Sequence, residues 1–106
     1  MAKYLFKGSY SAAGAAGLMK EGGSAREKGL SELVAGMGGK VESFYYAFGT
    51  DDVVGVVDIP DVVTGVALSL AVNASGSASV NITQLITPAD MDAASQMVVN
   101  YRPPGA

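Results

Sequence analysis

The chain has 106 residues, 49% of them hydrophobic and 16% charged, with a formal net charge of −3. That size and composition predict one globular domain, residues 1–106, able to bury roughly two-thirds of its unfolded surface. Cysteine and histidine are both absent, which excludes disulfides, thiol nucleophiles, His-ligated haem and Ser-His-Asp chemistry.

The first predicted strand covers residues 3–10 and is rich in aromatics. Ser11 then marks a turn or helix cap. Residues 12–37 carry Leu18, Met19, Leu30, Leu33, Val34 and Met37 at helical spacing. Gly22-Gly23 interrupts that helix, since each glycine costs about 1 kcal/mol relative to alanine in a helix interior. Ser24 and Glu27 have the spacing of a capping box, so the helix is expected to restart there. The glycines at 36, 38 and 39 end it.

Residues 40–48 and 52–59 read as a hairpin of two strands joined by a short Gly/Asp turn. Pro60 and Asp61 open a second helix, in which Val63, Val66, Ala67, Leu70 and Ala71 fit an amphipathic stripe. Gly76 stops it, residues 78–86 form a fourth strand, and Thr87 starts a short last helix before a Pro-rich tail.

The order β-α-β-β-α-β plus a helix predicts an α+β fold. It is a ferredoxin-like sandwich with a four-stranded antiparallel sheet and its helices on one face. Strand parity puts Phe44, Tyr46 and Phe48 on one side and Val41, Tyr45 and Ala47 on the other, with valines on both sides of the third strand. A strand with one wet face should alternate apolar and polar residues. Two apolar faces need two covers, because monomers rarely expose patches that large. The expected second cover is another copy of the sheet, with Phe44, Tyr46 and Phe48 at the dimer interface. The alternative is a monomer whose last helix folds over the open face.

The segments Lys3-Tyr-Leu-Phe-Lys-Gly-Ser-Tyr10, Lys20-Glu-Gly-Gly-Ser-Ala-Arg26, Phe44-Tyr-Tyr-Ala-Phe-Gly49, Asp52-Val-Val, Asp58-Ile-Pro60, Asn73-Ala-Ser-Gly76 and Tyr101-Arg-Pro-Pro104 together resemble the GYD domain family of small bacterial proteins. No one of these segments is specific; their ordered set is, and it spans nearly the whole chain. The family resembles the dimeric α/β-barrel group, which includes cofactor-free monooxygenases, isomerases and stress-response proteins. The resemblance implies a dimer and a ligand pocket between the sheet and the first helix. The family tends to place a tyrosine after the glycine at 49; here Thr50 and Asp51 precede Asp52.

No acid/base pair is visible. Asp51 and Asp52 diverge in a turn, and Asp58 lies far along the strand. Gly36-Met-Gly-Gly39 follows a helix instead of a strand, the reverse of a dinucleotide fingerprint. No metal, cofactor, nucleic-acid partner or membrane partner is expected, because the lysines and arginines form no stripe and carboxylates alone rarely hold zinc. Lys3 and Lys7 flank too short an apolar stretch for a signal peptide, so a cytoplasmic location is expected.

Seven of the eight aromatic residues cluster on two strands. Tyr10, Arg26, Tyr46, Phe48 and Asn73 are the candidate ligand-binding residues: phenols and a ring beside an apolar pocket, a cation at the helix interruption, and an amide near a helix end. For Asn73, capping of helix carbonyls is the favoured alternative. Three functions remain open: a dimeric protein binding a small apolar or aromatic molecule, a cofactor-free enzyme, or a structural or regulatory oligomerisation module. No catalytic residue is assigned.

Overall fold

A computed structural model describes residues 2–106. Strand β1 (Ala2–Tyr10) leads into helices α1 (Ala12–Glu21) and α2 (Gly23–Gly36). Strands β2 (Lys40–Tyr46) and β3 (Val53–Ile59), helix α3 (Val62–Ala74), strand β4 (Ala78–Leu85) and helix α4 (Pro88–Ser95) follow. The sheet is antiparallel, in the order β2-β3-β1-β4. This is the ferredoxin-like arrangement predicted from the element order, with the sheet open and the first helix broken in two.

The break sits at Gly22, with φ 93° and ψ 154°, a conformation that a residue with a Cβ rarely adopts. It ends α1, with Gly22 N–H donating to the Leu18 carbonyl at 2.8 Å, and starts α2 directly. Ser24 therefore lies inside α2, and no side chain caps that helix. The expected capping box is not formed because the chain turns two residues earlier. The other starts are capped: Ser11 accepts from Gly14 N–H, Asp61 from Thr64 N–H and Thr87 from Asp90 N–H.

Register fixes the faces. Tyr4 is opposite Val57 and Gln84, and Phe6 is opposite Gly55 and Ile82. The helix-covered face thus carries Tyr4, Phe6, Val53, Val57 and Ile59, which with Val34 and Leu68 form the buried core. Ile59, 1% exposed, lies at its centre. Beyond that core, Phe44 packs on Phe6 with ring centroids 6.0 Å apart.

Three expectations need correction. A register shift between Val41 and Ser43 inserts one residue into β2, so Val41 shares the helix-covered face with Phe44 and Tyr46. Strand β2 ends at Tyr46, which leaves Phe48 in the hairpin loop with its ring wholly exposed. In α3 the buried residues are Gly65 and Leu68, while Val63, Val66 and Leu70 are exposed. That helix is apolar all round, so periodicity could not choose its inner face. Its seating over Ile59 selects the side that carries Gly65 and Leu68.

The opposite, open face carries Leu5, Tyr45, Val54 and Val56 in its middle, by alternation from the residues above. At one end of it Lys3 bridges Glu42 and Asp58 at 2.8 and 3.0 Å. Helix α4 does not fold back over this face; all its residues are exposed. Among the described residues, no helix is long and apolar enough to cross a membrane.

Candidate functional site

The helical layer is not closed. Helices α1 and α2 pack on each other, and a cleft of about 430 Å³ separates them from α3. Leu18, Leu33 and Met37 supply one wall, Leu68 and Val72 the other. Tyr10 reaches it from the sheet and Arg26 from α2, and Glu21, Ser75 and Ser77 complete its polar lining. Volumes of roughly 300–1,000 Å³ with apolar walls and few polar groups are typical of small-molecule sites.

Tyr10 is held from behind. Its backbone N–H donates to an Asp52 carboxylate oxygen at 2.8 Å, and Asp52 N–H donates to the Gly8 carbonyl at 2.8 Å. Asp52 thus acts as a missing strand at the end of β1. Beyond it, Ser11 N–H bonds the Ser77 carbonyl at 3.0 Å, which presses the start of α1 onto the start of β4. A Cβ at Gly14 would run into that same carbonyl. The cleft therefore has a rigid floor.

Tyr46 approaches from the far side of the helix break. Its hydroxyl donates to the Gly23 carbonyl at 3.0 Å. The ring reaches this position because residue 23 has no side chain: a Cβ there would lie 3.0 Å from Tyr46 Cε2. Its ring meets Phe44 edge-on at a centroid distance of 5.1 Å. Burial pushes the Tyr46 phenol above its ordinary pKa; Tyr10 and Glu27 add to that shift, and the Arg26 guanidinium opposes it. Tyr10, Arg26 and Tyr46 therefore lie within electrostatic reach of one another around the break. A phenol kept protonated in this way serves as a hydrogen-bond donor, not as a base.

The other two candidates lie elsewhere. Phe48 borders neither this cleft nor the shallow depression of about 350 Å³ beside Tyr46, Phe44 and Gly23. Asn73 faces away from the cleft, beside a groove of about 540 Å³ between α3 and β4. Its Oδ1 accepts from Val80 N–H at 2.8 Å, and its Nδ2 lies 3.4 Å from the Val80 carbonyl and 3.3 Å from Ser69 Oγ. It satisfies both backbone groups of Val80 at the free edge of β4. This is not the helix cap that sequence suggested: the amide bonds the strand and Ser69 instead of the helix-end carbonyls.

The aromatic side assigned to a dimer interface is also relocated. Phe44 and Tyr46 lie under α2, on the helix-covered face, whereas the open face carries Leu5, Tyr45, Val54 and Val56. The physical reason is the hairpin register, which sets Phe44 opposite Gly55 and Tyr46 opposite the buried Val53, with the glycine at position 55 making room for the Phe6 ring. Sequence reading did not find Asp52 or Asn73 in their bracing roles; both bond strands distant in sequence.

The carboxylates are otherwise accounted for by structure. Asp58 pairs with Lys3, and Asp61 caps α3. No cluster of three acidic side chains able to hold a metal forms among the described residues. A family model described as the GYD domain matches residues 4–95. No curated protein and no solved structure matches the chain.

Proposed function

We propose that this chain, which belongs to the GYD domain family, binds a small apolar or aromatic molecule in the cleft between α1–α2 and α3 and works as a homodimer built on the open sheet face. The observation that carries the binding reading is the cleft itself: about 430 Å³, apolar walls, and Tyr10 and Arg26 converging on it. A ligand with one polar or anionic end would place that end at Arg26 and its apolar body against Leu33 and Leu68. The apolar middle of the open face supports the dimer.

The test is native mass spectrometry on protein recovered from its own host, followed by binding of any released molecule to two variants. Gly17 lines the cleft, and a side chain there would meet no atom within 4 Å. Gly17→Leu should therefore fill the space without harming the fold and abolish binding; Arg26→Ala should weaken it. Unchanged affinity in Gly17→Leu refutes the site. Light scattering should return twice the chain mass of 10.7 kDa; a monomer at micromolar concentration refutes the dimer.

A second reading, cofactor-free catalysis, draws on the Tyr10 phenol and the Arg26 guanidinium, both of which line the cleft. Positioned donors of this kind stabilise developing negative charge on a substrate. Turnover of the bound molecule that falls in Tyr10→Phe supports it; turnover independent of Tyr10 removes it.

A further inference from the structure

Residues 86–106 form an arm that their own chain does not use. Every residue from 83 onward is exposed, and no strand or helix packs closely on α4. The radius of gyration is 17.1 Å, against about 13 Å for a compact domain of this size. The accessible surface is 7280 Å², about 1,800 Å² more than the roughly 5,500 Å² expected of a compact monomer of this mass. The arm is not polar: Met91, Met97, Val98, Val99 and Tyr101 are all exposed, Val98 by 90%.

We propose that each arm crosses to a second copy of the chain and packs on that copy's open sheet face. The inference rests on the homodimer reading above and specifies how the interface is made. Three observations favour a second copy as the occupant. The excess surface exceeds the roughly 800 Å² that each partner buries in a standard interface. Arm and face occur once each per chain, so a two-fold axis satisfies both reciprocally. The charges also match. Lys3, Lys7 and Lys40 on the open face outnumber Glu42 and Asp58, and Lys3 already holds both carboxylates. The charges of α4 are Asp90 and Asp92 alone. The arm's acidic helix meets Lys7 and Lys40, and its apolar end covers Leu5, Tyr45, Val54 and Val56.

The experiment uses the full chain. Dimer dissociation is measured by sedimentation for the parent, for Val98→Asp with Val99→Asp, for Lys7→Glu with Lys40→Glu, for Asp90→Lys with Asp92→Lys, and for the two charge reversals combined. All these side chains are exposed in the single chain, so the fold should survive, and circular dichroism checks that it does. Each separate variant should raise the dissociation constant at least tenfold, and the combined reversal should restore it.

Because the chain lacks cysteine, a spin label on Val98→Cys can be mixed with isotope-labelled parent protein. The label should broaden the amides of Leu5, Tyr45 and Val56. A dimer indifferent to the Val98 and Val99 changes overturns the arm and leaves the dimer standing. A parent chain that is monomeric overturns both. Broadening at Val63, Val66 and Leu70 instead places the arm elsewhere and overturns the assignment.

Discussion

Asn73→Ala tests whether the edge of the sheet is held by a side chain. The substitution removes the acceptor of Val80 N–H at 2.8 Å and the weaker contact to the Val80 carbonyl at 3.4 Å. An intramolecular hydrogen bond contributes about 0.5–1.5 kcal/mol net. Water can reach an edge strand and replace part of that, so the pair should contribute about 1–2 kcal/mol. For a domain of this length, 1 kcal/mol moves the melting temperature by about 4 °C. Asn73→Ala should therefore melt about 4–8 °C lower, with an unchanged denaturant slope, because the surface exposed on unfolding is the same. The Val80 amide should also lose its protection against hydrogen exchange. Asn73→Asp sharpens the test. It keeps an acceptor for Val80 N–H but turns a second oxygen toward the Val80 carbonyl and Ser69. Its carboxylate is disfavoured there, so its folded pKa is raised and the lost stability should return as the pH falls and the group protonates. A melting temperature within 1 °C of the parent for Asn73→Ala, with Val80 still protected, would refute the reasoning.

Three other perturbations have defined signs. Gly17→Ala and Gly29→Ala should each stabilise by about 0.5–1 kcal/mol, because the new methyl meets open space. Gly55→Ala should destabilise by about 1–3 kcal/mol or more by driving a methyl into the Phe6 ring. Equal effects in thermal melts would show that the close approach at Gly55 is not real. Tyr46→Phe should remove one late-ionising phenol from the alkaline absorbance titration. The folded Tyr46 pKa is raised, so its contribution is present below the ordinary tyrosine value of about 10 and lost as pH rises through the folded one. The variant's stability should therefore fall less steeply over that alkaline range. Asp61 has a lowered pKa, chiefly because Thr64 N–H bonds its carboxylate. Its contribution holds above the ordinary aspartate value of about 4 and fades as pH falls through the folded value. Asp61→Asn should flatten that acid limb in pH-dependent melts.

Local chemistry was legible where one residue settles the matter. The glycines at 22 and 23 announced the broken helix, and Ser11, Asp61 and Thr87 announced helix starts that the structure confirms with side-chain caps. What was not legible depended on contacts between distant segments. Nothing in Lys40-Val-Glu-Ser shows that β2 gains a residue there, yet that one residue moves Val41 to the covered face. Helix α3 offers apolar side chains in every direction, and only its position over Ile59 selects Gly65 and Leu68. Of the five candidate site residues, Tyr10 and Arg26 meet in the cleft, and Tyr46 is held against Gly23 at the helix break. Phe48 and Asn73 do not join them, since a loop tip and an edge brace look the same in sequence as pocket residues.

The strand order also bears on how the protein is made. Strand β1 is made before the other three yet lies in the middle of the sheet, and Tyr4 finds its partners only at Val57 and Gln84. Such long-range pairing raises contact order and slows folding. At about 5–20 residues per second, β1 waits several seconds with Tyr4, Leu5 and Phe6 uncovered. The sheet closes only after β4 has emerged.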